Sequence, residues 1–407
     1  MDRSDSDGKP AILVVDDEPF MLKLIVRTLA AQSFTRVEAC DKGSAALELI
    51  GHPERSPDVI LCDLNMPEMD GLAFVRNLVE RGFAGSVILV SGEDNRMLQT
   101  AEALVRAHGI AMLGYLRKPA QPAALSELLG RWAPKSPETR WAPRKIYGAE
   151  EIREGLAQGQ IDLHYQPKVA VETGRLVGVE ALARWRHPED GLVFPDQFIG
   201  VAEETGQIGD LTRQVLLKAF GQARRWREEG RDLKVAVNLS TDNLTSLAFA
   251  DFVSREAERA GVAPQDVVLE VTESRLIKDF RAPLEVLARL RMKRFHISID
   301  DFGTGHSSLA QLRDLPFSEL KIDRGFVHGA WNNDTKQVIY DASCGIARHL
   351  GMDIVAEGVE TEEDWRFLRD TGCGLAQGYF IGKPMAAEAL PDWQASWAAR
   401  FSAFGTD

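Results

Sequence analysis

Short apolar runs alternate with amphipathic segments along two long parts of the chain. In the first part, residues 10–131, the runs are AILVV (11–15), TRVEAC (35–40), DVILC (58–62), SVILVS (86–91) and AMLGYL (111–116). Near-continuous apolar runs separated by helix-patterned stretches are typical of parallel strands with helical crossovers. The pattern predicts a small doubly wound α/β domain, in which ligands bind at the carboxyl ends of the strands.

A second alternation of the same kind runs over residues 148–402. Its eight predicted strands are IDLHYQP (161–167), LVGVEALAR (176–184), LKVAVNLS (233–240), DVVLEVTE (266–273), FHISIDDF (295–302), ELKIDR (319–324), DIVAEGVE (353–360) and LAQGYFIG (375–382). Helix patterns lie between most of them. Eight strands with helical crossovers in a segment of this length predict a TIM-barrel-like (β/α)8 fold.

The two parts are separated by a proline-rich and charged stretch. Residues 132–147 lack apolar periodicity and contain the second copy of a doubled tetrapeptide, RWAP. Such a composition predicts a linker rather than a packed element. We expect Trp132 and Trp141 to pack on a domain or on a second chain, because exposed tryptophan is unfavourable.

Charge and composition narrow the class of protein. The 407-residue chain has a formal charge of −13, which disfavours binding to polymeric nucleic acid or to an anionic membrane. No apolar run reaches the roughly 20 residues that span a bilayer, and the polar N-terminus does not resemble a signal peptide. Four widely spaced cysteines predict small buried side chains rather than zinc ligands or disulfides. The sequence therefore predicts a cytoplasmic protein without membrane insertion.

Polar residues stand near the carboxyl ends of the predicted barrel strands. They are Gln166, Glu180, Asn238, Glu270, Asp300 with Asp301, Lys321 with Asp323, Glu357 and Gln377. In a barrel these ends meet at one mouth, where uncompensated carboxylates would raise one another's pKa. An oxygen-only ligand set suits Mg²⁺ or Mn²⁺. The number of carboxylates predicts two ions about 3.5–4 Å apart, with Asp300 bridging them.

These residues carry a family resemblance. The segments VGVEALARWRHP, VNLS, LEVTES, DDFGTGHSSL, KIDR, AEGVE and QGYFIGKP, in this order, resemble the motif series of EAL-domain cyclic di-GMP phosphodiesterases. The resemblance implies hydrolysis of cyclic di-GMP to linear 5′-pGpG by a two-metal mechanism. It implies one ion on Glu180, Asn238, Glu270 and Asp300, and a second ion on Asp300, Asp301 and Glu357.

The same resemblance implies roles for the other residues of the mouth. Gln166, Leu182, Arg184 and Gln377 would face the nucleotide, and Glu273 would stabilise the glycine-rich loop. Lys321, Asp323 and Glu357 would act on the attacking water. Two roles for Lys321 stay open: a general base, or an ammonium that holds and polarises the water. One position departs from the family, since His306 stands where an aromatic residue is usual.

The first domain has its own acidic motifs. VVDDEP, LCDLNMPEMDG, VSG and GYLRKP resemble the flavodoxin-like (βα)5 receiver domain of two-component response regulators. The resemblance implies phosphorylation of Asp63 by a cognate sensor histidine kinase. It implies one Mg²⁺ held by Asp16, Asp17, Asp63 and Asn65, with Ser91, Tyr115 and Lys118 responding to the phosphoryl group. The alternative is a receiver that is not phosphorylated.

Two functions therefore compete. The first is a response regulator whose phosphodiesterase activity is modulated by phosphorylation of Asp63. The second is a catalytically weak receptor that binds cyclic di-GMP without cleaving it. A cyclase is disfavoured because no GGDEF-like motif occurs, and an HD-type phosphodiesterase because paired histidines are lacking. We expect a homodimer or a higher homo-oligomer.

Overall fold

The chain divides into two compact units between Lys145 and Ile146. The computed structural model describes residues 9–50, 56–83, 85–93, 97–98, 101, 105, 110–132, 145–272, 281–303 and 309–404. Within these ranges, no helix combines the length and the apolar character needed to cross a bilayer. All four cysteines are buried and free of disulfides, as the sequence predicts.

The first unit contains a five-stranded parallel sheet in the order β2-β1-β3-β4-β5. Its strands are β1 (Ile12–Val15), β2 (Val37–Cys40), β3 (Val59–Asp63), β4 (Ser86–Ser91) and β5 (Ala111–Arg117). Among the described residues its longer helices are α1 (Pro19–Ala31), α2 (Gly43–Ile50), α3 (Gly71–Glu80) and α4 (Pro122–Gly130). Alternate strand residues enter two apolar clusters, one with α2 and α3 and the other with α1 and α4. The predicted doubly wound fold is confirmed.

The second unit is a closed barrel of eight strands. They are β6 (Ile161–Ala170), β7 (Leu176–His187), β9 (Lys234–Leu239), β10 (Val267–Thr272), β11 (His296–Phe302), β12 (Glu319–Ile322), β13 (Asp353–Ala356) and β14 (Leu375–Gln377). A short strand, β8 (Gly191–Val193), extends β7 as a hairpin. Closure follows from β6, which pairs with both β7 and β14. The predicted barrel is confirmed.

Helices surround the strands of the barrel and share one apolar core with them. In the described residues they are α5 (Ala149–Ala157), α6 (Ile199–Glu204), α7 (Ile208–Glu228), α8 (Leu247–Ala260), α9 (Arg281–Met292), α10 (Leu309–Asp314), α11 (Arg324–Val327), α12 (Asp334–His349), α13 (Glu362–Asp370) and α14 (Leu390–Phe404). The last helix is fastened by Trp397, whose indole N–H donates to the Gly174 carbonyl at 2.7 Å.

The first barrel strand differs from the prediction. β6 runs antiparallel to both neighbours, so Gln166 lies within the strand and pairs with Glu180, rather than at a carboxyl end shared with the other strands. The reason is the connection to β7, which spans only residues 171–175. Parallel neighbours need a crossover of about a dozen residues or more, whereas a short turn joins antiparallel strands.

The start of α13 is fixed by the buried carboxylate of Asp364. One oxygen accepts from the Gly329 amide at 2.8 Å, and the other accepts from the amides of Glu360 and Thr361, each at 3.1 Å. His328 Nδ1 lies 2.9 Å from the same carboxylate. Burial acts to raise the pKa of Asp364, but these hydrogen bonds outweigh it and lower the pKa to about 2. The ionised side chain therefore stabilises the fold.

We expect Asp364→Asn to destabilise the barrel by about 2–3 kcal/mol, since a buried charged acceptor of several hydrogen bonds is lost. Urea denaturation followed by tryptophan fluorescence measures this change. The exposed Glu363→Gln on the same helix turn is the control, with an expected change below about 0.5 kcal/mol.

The pH dependence gives a second measurement on the same variant. The folded pKa lies below the ordinary 3.8, so the stabilisation is present above the unfolded pKa and is lost as the pH falls toward about 2. The difference between parent and Asp364→Asn should therefore narrow on acidification. A difference that widens would contradict this assignment.

Candidate active site

The ammonium group of Lys321 lies among four carboxylates inside the barrel. Its Nζ is 2.7 Å from Glu357, 2.9 Å from Glu270, 3.0 Å from Asp300 and 3.5 Å from Glu180. The Lys321 side chain is 1% exposed. The carboxylates come from β7, β10 and β11 and from the residue that follows β13. The predicted acidic residues thus surround a common cation.

This arrangement shifts several pKa values. Burial alone would lower the pKa of Lys321, but the surrounding carboxylates raise it well above its ordinary value. Burial, together with Asp300 and Glu180, raises the pKa of Glu357 to about 8 despite Lys321. Burial and the charges of Asp300 and Asp323 raise the pKa of Asp301 to about 6. One ammonium therefore does not offset all the negative charge in the mouth.

A break in the β11–β12 pairing brings two consecutive aspartates into one site. In a regular strand, successive side chains point to opposite faces. Here the register shifts between Ile299 and Phe302, and Asp301 adopts a left-handed backbone conformation with φ of 55°. Asp300, Asp301 and Glu357 each offer an oxygen, and these oxygens lie within 4.8 Å of one another. The bulge explains how neighbouring residues can share a ligand.

The donor set fits a hard divalent cation. The group of Asp300, Asp301 and Glu357 contains only carboxylate oxygens, which suit Mg²⁺ or Mn²⁺. Burial and neighbouring carboxylates raise the pKa of Asp301 and of Glu357 although Lys321 acts to lower both, so a divalent cation would favour their ionised forms. The carboxylates predicted to hold the other ion are arranged differently. Glu180, Glu270 and Asp300 each contact the Lys321 ammonium, which lies between them.

Gln377 and Asn238 hold the Glu180 carboxylate from its other sides. The Gln377 amide donates to one Glu180 oxygen at 2.6 Å, and the Asn238 amide donates to the other at 2.7 Å. Gln377 also donates to Gln166 at 3.1 Å. After Gln377 the backbone passes close to Val359. A Cβ on Gly378 would lie 2.2 Å from the Val359 carbonyl oxygen, so this close approach requires glycine. These contacts bring Gln166, Gln377 and Asn238 to the carboxylate cluster.

Alternation along β7 sets Leu182 and Arg184 on the same strand face as Glu180. Leu182 is half-buried and Arg184 is buried. The guanidinium of Arg184 lies 5.1 Å from the ring centre of Phe194. Its Nε is buried and has no hydrogen-bond partner among the described residues, and the same holds for Oε1 of Gln377. Both atoms are thus buried polar groups that no hydrogen bond among the described residues satisfies.

Asp323 lies outside the group of carboxylates around Lys321. Asp323 caps the short helix α11, because its carboxylate accepts from the Gly325 amide at 2.8 Å, and it is near enough to Asp301 to raise the pKa of that carboxyl. Glu273 and His306 lie outside the described residues.

A buried ion pair that was not predicted from the sequence lies directly below the cluster. Lys168 Nζ lies 2.9 Å from Glu319 Oε1 and 3.6 Å from Glu270 Oε1. Both side chains of the pair are buried. The signal was present, because Lys168 follows Gln166 by two residues and Glu319 precedes Lys321 by two, and residues two apart share a strand face.

The first unit contains a second acidic site, at the carboxyl ends of its strands. Asp16, Asp17 and Asp63 offer oxygens within 4.8 Å of one another, which fits one Mg²⁺. Lys118 Nζ lies 2.8 Å from Asp16 and 2.9 Å from Asp63. Burial raises the pKa of Asp16 even though Lys118 opposes the shift. Here again a lysine lies among carboxylates.

The remaining residues predicted for this site lie around it. The Asn65 amide N–H donates to Asp63 at 3.3 Å, and its side chain donates to Glu93 at 2.9 Å. Ser91 ends β4, is fully buried and accepts from the Glu93 amide at 3.2 Å. Tyr115 is half-buried on β5.

The two folds and their acidic sites define a response regulator with a barrel output domain, and comparison with known proteins agrees. The EAL domain model matches residues 149–384, and the response regulator receiver domain model matches residues 12–130. The chain therefore belongs to the EAL domain family and carries a receiver domain, which confirms both resemblances.

Relatives and solved structures support this assignment. The cyclic di-GMP phosphodiesterase RocR of Pseudomonas aeruginosa is 34% identical over 94% of this chain and 98% of RocR. The bifunctional diguanylate cyclase/cyclic di-GMP phosphodiesterase MucR of the same organism is 44% identical over 61% of this chain, but the match spans only 36% of MucR. The structure of the PaMucR phosphodiesterase in complex with c-di-GMP is 44% identical, with a TM-score of 0.57, and covers 59% of this chain and 98% of that one.

We expect Lys321→Met to destabilise the barrel in the presence of EDTA by about 3–5 kcal/mol, because buried carboxylates lose their common cation. Urea denaturation followed by tryptophan fluorescence measures this loss, since Trp185, Trp226 and Trp365 are buried in the barrel. The exposed Lys218→Met on α7 is the control. If the two variants have equal midpoints, the ammonium does not hold the cluster together.

Proposed function

We propose that this protein is a response regulator that hydrolyses cyclic di-GMP to linear 5′-pGpG. In this reaction water attacks one phosphorus, one P–O3′ bond breaks, and the leaving oxygen takes up a proton. The observation that carries the proposal is the buried group of carboxylates around Lys321. RocR, which shares both domains with this chain, is named a cyclic di-GMP phosphodiesterase.

Two divalent ions, Mg²⁺ or Mn²⁺, complete the proposed site. One would be held by Glu180, Asn238, Glu270 and Asp300, and the other by Asp300, Asp301 and Glu357. When bound, such ions supply Lewis-acid activation of water and stabilise charge on the phosphodiester oxygens. The oxygen-only group of Asp300, Asp301 and Glu357 supports this assignment.

Of the two roles open for Lys321, the contacts favour the ammonium. The surrounding carboxylates raise its pKa well above the ordinary value, so it is a poor proton acceptor near neutral pH. We therefore assign to Lys321 the holding and polarising of the attacking water. Asp323 lies beside Asp301 and would orient the same water.

The nucleotide would be held by the residues whose polar atoms lack partners. The Arg184 guanidinium can donate two hydrogen bonds to one phosphate, which lysine cannot do in the same geometry. Its buried Nε and the buried Oε1 of Gln377 lack hydrogen-bond partners among the described residues, and a polar ligand would satisfy both. Gln166 and Leu182 would complete this surface.

Purified protein with Mg²⁺ or Mn²⁺ is expected to convert cyclic di-GMP to pGpG, as measured by chromatography of the nucleotides. Glu180→Gln should lower kcat by about 10³-fold or more, because a ligand charge and an anchor of Asn238 and Gln377 are lost. The control is Glu189→Gln, at an exposed position in the turn between β7 and β8. Its kcat should equal that of the parent protein.

The same assay separates the alternative function. Folded protein that binds cyclic di-GMP tightly but forms no product with either metal would identify a receptor that binds without cleaving. Protein that neither binds nor cleaves the nucleotide would contradict both functions.

We further propose that phosphorylation of Asp63 by a sensor histidine kinase modulates this activity. Asp16, Asp17, Asp63 and Asn65 would hold one Mg²⁺, and Lys118 already contacts the acceptor carboxylate at 2.9 Å. A phosphoryl group adds charge that Lys118 and Ser91 can bind, with Tyr115 responding to the change. A homodimer or higher homo-oligomer is the assembly we propose.

We expect acetyl phosphate to change the phosphodiesterase rate of the parent protein several-fold and to leave Asp63→Asn unchanged, because the acceptor oxygen is removed. The exposed Asp41→Asn on the same unit should respond like the parent. Steady-state kinetics and phosphate-affinity gels report rate and modification together. Equal rates for treated parent, untreated parent and Asp63→Asn would exclude the switch.

A further inference from the structure

The carboxylate of Glu270 is held between two different lysines. Its side chain has no exposed surface. Oε2 accepts from Lys321 at 2.9 Å, while Oε1 lies 3.6 Å from Lys168 Nζ, a distance too long for a hydrogen bond. Oε1 has no hydrogen-bond partner among the described residues. The orientation of this carboxylate therefore depends on positive charge at both oxygens.

Lys168 is itself fixed by a third carboxylate. Its Nζ donates to Glu319 Oε1 at 2.9 Å, and both side chains are buried. Because β6 runs antiparallel, Lys168 pairs with Gly178 while Gln166 pairs with Glu180, which sets Lys168 one layer deeper in the barrel than the glutamine. The ammonium thus lies beneath Glu270 and opposite Lys321.

A contribution to stability alone does not explain the buried ion pair of Lys168 and Glu319. Replacing a buried ion pair with apolar residues of similar volume is often neutral or stabilising, whereas removing one partner is strongly destabilising. Glu319 and Lys168 together add a buried pair that a barrel core does not require. Their geometric effect is to present one ammonium to the free oxygen of Glu270.

We propose that Lys168, held by Glu319, is a positioning residue that orients the Glu270 carboxylate for the ion it would bind. The proposal rests on the proposed function, because it needs a divalent cation at Glu270. Partners of metal ligands typically change metal affinity by about 10- to 100-fold when they are removed. We expect an effect of that size here.

A cavity of about 400 Å³ at the opposite mouth of the barrel supplies a matched control. Its lining includes Lys168 and Glu319 and also Lys234, at the start of β9. Lys234 is exposed, and the structure gives it no ion pair with Glu270. Lys234→Met therefore removes a lysine from the same cavity without changing the surroundings of the carboxylate.

The test measures Mn²⁺ binding by calorimetry in a background of Asp17→Asn and Asp63→Asn, which removes two carboxylates of the other acidic site. Lys168→Met is expected to weaken the binding of Mn²⁺ about 10- to 100-fold, and Lys234→Met to leave it unchanged. The double variant Lys168→Met/Glu319→Leu removes both charges, so it should restore thermal stability without restoring affinity.

The possible results distinguish failure of the role proposed for Lys168 from failure of the proposed function. Weak Mn²⁺ binding by the double variant supports the inference even if Lys168→Met alone does not fold. Parent-like binding by the double variant would show that Lys168 only neutralises Glu319, and would overturn the inference while leaving the proposed function intact. Absence of Mn²⁺ binding in the background protein would overturn both.

Discussion

The contact between a buried ammonium and several carboxylates is the interaction on which both sites of this protein depend. In the barrel, Lys321 contacts four carboxylates, three from different strands and one from the residue that follows β13. In the first unit, Lys118 lies between Asp16 and Asp63. Parallel strands bring acidic side chains together at one edge or mouth, and such a group repels itself unless a cation lies among its members.

Each site has one lysine among several carboxylates, so negative charge remains that a divalent cation could offset. Glu357 and Asp301 have raised pKa values even though Lys321 lies in the cluster, and burial raises the pKa of Asp16 despite Lys118. A divalent ion would add the missing positive charge with oxygen ligands already close together. The fold therefore tolerates the acidic group without a metal while remaining suited to one.

Most of the fold and much of the candidate site could be predicted from the sequence, because apolar runs, the amphipathic segments between them and polar strand ends are local signals. Glu180, Glu270, Asp300 and Glu357 follow from those signals and do meet, around Lys321. The direction of β6 was predicted wrongly, since an apolar run shows that a strand exists but not how it pairs. The short connection at residues 171–175 was the available clue. The bulge at Asp301 depends on tertiary pairing with β12 and leaves no comparable signal.

The reversed direction of β6 matters for the chemistry as well as for the topology. Gln166 and Lys168 face the same side of the strand. If β6 ran parallel to its neighbours and Gln166 kept its present height in the barrel, Lys168 would lie nearer the acidic mouth. Running the other way, β6 sets Lys168 opposite Gly178 and deeper in the barrel, where it meets Glu319 and Glu270. One strand thus contributes an amide that meets Gln377 and an ammonium beneath the carboxylate cluster, so that Glu270 has a cation on each side.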